Sequence, residues 1–259
     1  MCNSSNNQTI VIISDSRGRG LEDCIKQHPS YSDYNHVIRI LPGKDLTQIG
    51  AAAKQITSNL RSRFYCVILA GICSLTERST VLNERRLHYP LQKREDKISK
   101  IIDTIKDLKS QPGGSYNICF FVPASLHKYF KHYNPTAEPP AVLDEEQSAL
   151  LDDINQINEV IDDLNTSTTN INLLKRVQVN VKKRKQKTNN LAYRKIRKFS
   201  DKELVDGVHF SDTLKNICFP LIYDTAIRDI REETFLQDSQ DSQDSDNDWD
   251  FKRCHQTHS

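Results

Sequence analysis

The three residue types needed for nucleophilic acyl transfer occur in this chain in a usable pattern. Ser16 follows a short apolar run, Thr9-Ile-Val-Ile-Ile-Ser14, inside the turn-forming stretch Asp15-Ser16-Arg17-Gly18-Arg19-Gly20. Far along the chain, Asp206-Gly207-Val208-His209 sets a carboxylate and an imidazole three residues apart across a turn. A serine hydroxyl becomes a nucleophile only when a base takes its proton, and the base needs a partner that fixes its tautomer and stabilises its cation. Ser16 as nucleophile, His209 as base and Asp206 as the orienting carboxylate fill those roles. Negative charge developing on a carbonyl oxygen would meet the backbone N–H groups of Ser16 and Gly71, each at a strand-to-helix turn. Ser14, at the strand end, suits backbone support better than attack. Each residue alone has a plainer reading, since Asp-Gly is a common turn dipeptide and a histidine near a helix start is often structural. The combination carries the argument.

For these residues to meet, distant parts of the chain must converge on one edge of a sheet. Short apolar or β-branched runs at Thr9 to Ser14, His36 to Leu41, Phe64 to Ala70, Asn117 to Val122 and Ile171 to Val179 predict five strands. Helical spacing of apolar residues predicts helices at Leu21 to His28, from the Asp45 cap through Ser58, at 93–109, at 143–164, and from Asp212 to Glu233 despite Pro220. The segment around Tyr89-Pro90 and the stretch holding Pro135, Pro139 and Pro140 read as connections. Alternating strands and helices predict a parallel sheet covered on both faces, with ligands bound beyond the carboxyl ends of its strands. Asp15-Ser16, Gly71 to Ser74 and Asp206 to His209 follow the first, third and fifth strands.

These blocks resemble the SGNH/GDSL hydrolase superfamily. Ser14-Asp15-Ser16 is similar to its Gly-Asp-Ser block, Gly71-Ile72-Cys73-Ser74 stands in place of its Gly-x-Asn-Asp block, and Asp206-Gly207-Val208-His209 matches its Asp-x-x-His block. Ile154-Asn-Gln-Ile-Asn158 resembles the family's last helix before the fifth strand, and the likeness spans about residues 9 to 232. The resemblance implies a three-layer α/β/α, flavodoxin-like fold with a five-stranded parallel sheet, and a Ser16-Asp206-His209 triad acting on acyl or acetyl esters. It implies no cofactor and no metal. In this chain the family's first glycine is Ser14, and the oxyanion-hole asparagine is Cys73. A thiol is a weak donor that cannot reproduce an amide N–H, and loss of one such donor costs about 100- to 1,000-fold in turnover.

Composition sets the remaining expectations. With 259 residues, 37% hydrophobic and 27% charged, the chain is long enough for one sizeable core. The expected division is a disordered N-terminus at 1–8, one α/β domain at 9–235 and an acidic, disordered tail at 236–259. The longest apolar runs, Ile10 to Ile13 and Val67 to Ala70, fall far short of a membrane span. The start lacks the charged and apolar regions of a secretory signal, which points to an intracellular protein, cytoplasmic or nuclear. Seven cysteines at irregular spacing contain no Cys-x-x-Cys pair and read as reduced packing residues. Sequons at Asn3, Asn7 and Asn165 carry no weight inside a cell. Cys254, His255 and His258 lack a fourth ligand for zinc.

Charge is unevenly spread. Leu174 to Lys198 holds eleven Lys/Arg and no acid, whereas Leu143 to Leu164 holds eight Asp/Glu and no base, and Gln237 to Asp250 holds six Asp and no base. Lys182 to Lys187 therefore reads as an exposed, solvated loop that contributes little to folding, with phosphate or nucleic-acid binding as its functional alternative. The expected partner is a small-molecule or polymeric ester, with no membrane. The rival reading is a non-catalytic SGNH-like domain that binds a ligand or protein and touches nucleic acid through the basic loop; Cys73 and Ser74 favour it.

Overall fold

A computed structural model of the chain describes residues 8–165, 168–185 and 192–253, of which 180–185, 192–197 and 236–253 are described by their backbone alone. Residues 1–7, Gln186 to Leu191 and the Cys254-His255-His258 group lie outside the described residues. Strand β1 (Thr9–Ser14) is buried along its whole length and lies between β2 (Asn35–Ile40) and β3 (Phe64–Leu69), with β6 (Gly114–Ile118) on the far side of β3. All pairings are parallel, and Ser14 is in register with Ile40 on one side and Leu69 on the other. Parallel strands covered on both faces read as continuous apolar runs, which is why Ile10 to Ile13 shows no alternation.

Alternate residues of the central strands divide the core in two. Val11, Ile13, Cys66 and Ile68 face the layer of α2 (Leu46–Ser58), α4 (Arg94–Lys109), α5 (Leu126–Tyr133) and α6 (Val142–Leu164). Ile10, Ile12, Tyr65 and Val67 face α1 (Leu21–Ile25) and α7 (Asp212–Arg253). The result is a three-layer α/β architecture with helices on both sides of a parallel sheet. The caps are those the sequence advertises: Asp45 forms a capping box with Gln48 on α2, and Ser211 accepts from the Leu214 N–H at the start of α7.

Four features differ from expectation. The sheet has four strands, not five. Ile171 accepts one bond from the Phe120 N–H at 3.1 Å, but the chain then coils into a 3-10 turn at Leu173–Val177, whose first turn is capped by the Asn172 side chain. That cap gives the backbone a local partner in place of a ladder. Lys182 to Lys185 are not in a loop: they belong to β7 (Gln178–Lys185), paired antiparallel with β8 (Ala192–Phe199). The stretch before Tyr89 is a hairpin of β4 (Glu77–Val81) and β5 (Glu84–His88), turning at Leu82 and Asn83 with positive φ at both. A Leu-Asn turn lacks the Asn-Gly signature of such hairpins and so carries no short-range hairpin signal. Finally, the α7 backbone continues to Arg253 rather than stopping near Glu233. No helix among the described residues is long and apolar enough to cross a membrane.

Candidate active site

The site begins where β1 ends. Ser14 is fully buried and donates from Oγ to the Leu69 carbonyl at 2.8 Å, so its hydroxyl is committed to the backbone of β3. Asp15 then turns the chain into a 3-10 turn at Ser16–Gly18, its carboxylate accepting from the Arg17 N–H at 2.9 Å. This brings the Ser16 side chain, itself only 6% exposed, to the carboxyl edge of the sheet. Short helix α3 (Ile72–Leu75) leaves the equivalent end of β3. Its preceding residue, Gly71, sits at φ +129°, and a Cβ there would run into the Phe121 ring, so only glycine fits. Among the described residues, neither the Ser16 nor the Gly71 backbone N–H has a protein acceptor. Cys73 is half-buried, and burial together with the Asp15 charge pushes its thiol up, away from the thiolate.

The third component comes from the loop before α7. Asp206 Oδ1 accepts from the backbone N–H groups of Val208 at 3.0 Å and His209 at 2.9 Å, folding the loop on itself. Its other oxygen lies 2.8 Å from His209 Nδ1, and His209 Nε2 lies 2.9 Å from Ser16 Oγ. With the ring proton on Nδ1 donating to Asp206, Nε2 is free to accept the serine proton. Gly207 holds a left-handed φ of 84°, and a Cβ would strike the Ser125 carbonyl and the Tyr129 N–H. Ser125 N–H donates to the Gly207 carbonyl at 2.7 Å, tying the loop to the start of α5.

Burial alone would raise the Asp206 carboxyl, but the His209 ring and the His209 and Val208 backbone N–H groups together hold it below the ordinary carboxylate range. A carboxylate with a depressed folded pKa adds stability above its unfolded value and loses it as pH falls through the folded one. Asp206 therefore stays ionised as pH drops through the usual carboxylate range. Asp206→Asn is expected to lower stability at neutral pH and to reduce the loss of stability on acidification below about pH 4. Denaturation curves measured from pH 7 to pH 2 check this; an unchanged acid dependence would overturn it.

Arg17 and Tyr133, which the sequence did not single out, and Asn158, which entered only through the resemblance of its helix, border the site. Arg17 is buried and donates to three backbone carbonyls: Val208 (3.0 Å), Val122 (2.5 Å) and Pro123 (3.0 Å). Its guanidinium also lies 5.4 Å from the centre of the Phe210 ring. Asn158 on α6 accepts from the Phe121 N–H at 2.6 Å and donates to its carbonyl at 3.0 Å, fixing the chain beyond β6 where no ladder holds it. The Tyr133 hydroxyl lies 3.4 Å from Asp206 Oδ2. In sequence, Arg17 looks like one more cation in a polar turn; only its partners, more than a hundred residues away, reveal its burial. The geometry thus brings together Ser16, Asp206 and His209, with Gly71 and Cys73 at the start of α3. Among the described residues no group of three or more His, Cys, Asp or Glu could hold a metal ion.

Comparison with family models finds no match, and comparison with curated proteins finds none either. Among solved structures, the chain is similar to the crystal structure of an alpha/beta hydrolase enzyme from the metagenome of Lake Arreo, Spain, at 11% sequence identity and a TM-score of 0.44, over 84% of this chain and 94% of that one.

Proposed function

We propose that this chain is a serine hydrolase of the SGNH type that cleaves acyl or acetyl esters. One observation carries the reading: the continuous hydrogen-bonded line from Asp206 through His209 to Ser16, with steps of 2.8 and 2.9 Å, at the carboxyl edge of a parallel sheet. Ser16 Oγ attacks the ester carbonyl while its proton passes to His209 Nε2, and the Asp206 carboxylate stabilises the resulting imidazolium. The negative charge on the carbonyl oxygen is met by the Ser16 and Gly71 N–H groups, which have no protein acceptor among the described residues. Collapse of the tetrahedral intermediate breaks the ester C–O bond, and His209 returns its proton to the departing alkoxide. A water molecule, deprotonated by the same imidazole, then releases the acid and regenerates Ser16.

Cys73 marks where this chain is weakest for that chemistry, because its thiol stands where an amide donor would serve. Cys73→Asn is therefore expected to raise kcat for activated esters by about 10- to 1,000-fold, the range set by one preorganised donor. Steady-state kinetics on p-nitrophenyl acetate checks this, beside labelling of Ser16 with a fluorophosphonate probe. Absence of Ser16 labelling together with no gain from Cys73→Asn would overturn the hydrolase reading.

A second reading, binding of nucleic acid by the basic hairpin, has its own observation. Register sets Lys182 opposite Lys195 and Lys183 opposite Arg194 across the β7–β8 ladder. Like charges directly opposite one another destabilise a strand pair unless an anion neutralises them. Binding of single-stranded or duplex nucleic acid that weakens steeply with salt and is lost when these four residues are neutralised would support it. Salt-independent or absent binding would reject it.

A further inference from the structure

The β4–β5 hairpin packs on α5, whose Tyr133 reaches Asp206, and it brings cations with it. Pairing sets Arg78 opposite Leu87 and Thr80 opposite Arg85, so Arg78 and Arg85 share one face of the hairpin as diagonal neighbours. Arg85 is fixed by its backbone: its N–H donates to Asn134 Oδ1 at 3.0 Å and its carbonyl accepts from Asn134 Nδ2 at 2.8 Å. Asn134 is itself buried at the end of α5. The Arg85 guanidinium lies 5.4 Å from the centre of the Tyr133 ring, whose hydroxyl reaches Asp206. Arg78 is within electrostatic reach of the Cys73 thiol and the Tyr129 hydroxyl, opposing the upward push that burial gives both.

Charge accounting at this rim leaves these two cations uncommitted. The hairpin's own carboxylates are engaged elsewhere, Glu77 with Lys97 at 2.9 Å and Glu84 with Arg86 at 2.7 Å. Asp206 is bound to His209, Asp15 receives the Arg17 N–H, and Asp45 caps α2. Among the described residues, neither Arg78 nor Arg85 has a carboxylate within ion-pair distance. Guanidinium groups with unused donors are matched to carboxylate and phosphate oxygens.

We propose that the site takes an anionic ester, one whose acyl or leaving portion carries a carboxylate or phosphate held by Arg78 and Arg85. This rests on the serine-hydrolase reading of the same site and names its substrate class. Exposed charge pairs are modest in energy and screened by salt, so the selectivity is a matter of about tenfold rather than thousands.

The test uses the full chain and two matched pairs of substrates: mono-4-nitrophenyl adipate against its methyl ester, and 4-carboxyphenyl acetate against its methyl ester. The expected result is a kcat/KM about tenfold higher for the anionic member of at least one pair, shrinking as salt is raised from 20 to about 500 mM. Arg78→Gln and Arg85→Gln should each reduce that ratio, and Arg85→Glu should invert it. Competition by adipate and by a monoalkyl phosphate identifies the anion by whichever inhibits more strongly. Ser16-dependent hydrolysis with ratios near one in both pairs, or ratios that the arginine variants leave unchanged, overturns the anionic substrate while leaving the hydrolase standing. Loss of Ser16-dependent hydrolysis for every ester overturns both.

Discussion

Ser16→Ala is expected to reduce ester hydrolysis to the background rate, a loss on the order of a million-fold if chemistry limits turnover. His209→Ala should be about as damaging, and the double variant no worse than either, because nucleophile and base act as a unit and their losses do not add. The geometry gives the reason. Ser16 Oγ lies 2.9 Å from His209 Nε2, and His209 is held at its other nitrogen by the Asp206 carboxylate, which the loop backbone also grips. Ser14 cannot substitute, since its hydroxyl is buried and already donates to Leu69. The measurement is kcat/KM on p-nitrophenyl acetate with purified single and double variants, with folding checked by circular dichroism. A Ser16→Ala protein that keeps its rate would show that hydrolysis, if present, occurs elsewhere.

Arg17→Leu is expected to cost about 3–5 kcal/mol of stability, the scale for removing one partner from a buried charged network. Leucine would leave the carbonyls of Val208, Val122 and Pro123 without their donor. It would also leave Asp15, whose carboxyl burial already pushes upward, without the opposing charge of Arg17. Lysine can keep the charge but not the three-way fork, so Arg17→Lys should recover only part of the loss. For a chain of this size the leucine variant corresponds to a fall in Tm on the order of 10 °C. Chemical denaturation and calorimetry measure it; a change within about 1 kcal/mol would mean that the guanidinium is replaceable by packing alone. Because one of the three carbonyls belongs to Val208, beside His209, the clamp couples the Ser16 turn to the His209 loop across 191 residues of chain.

The central strands were legible because their cause is local. Ile10 to Ile13 and Phe64 to Ala70 are apolar on both faces, which only a sheet covered twice can bury. The order of strand and helix sets the loops after β1 and β3 at the carboxyl edge, whereas His209 was expected there through a fifth strand that the sheet lacks, and it is the loop before α7 that brings it to Ser16. The Asp206-Gly207-Val208-His209 turn is equally local, with a carboxylate three residues from its imidazole. The hairpin at Glu77 to His88 was not legible, since its strands are polar and its Leu82-Asn83 turn carries no glycine. Nor was the fate of Ile171 to Val179, where a run with β-branched residues loses its ladder to the Asn172 cap and leaves the sheet with four strands. The contacts of Arg17, Asn158 and Tyr133 were not legible for a shared reason: their partners are brought near only when the layers close. By itself, then, the sequence determined the alternating α/β plan, the turn after β1 that holds Ser16 and the local Asp206-Gly207-Val208-His209 turn. Tertiary structure alone decided the number of strands, the meeting of Ser16 with His209, the buried Arg17 clamp on the Ser16 turn and the two arginines of the β4–β5 hairpin. Periodicity and turn chemistry act over a few residues, whereas burial and charge pairing are settled between segments that the sequence keeps far apart.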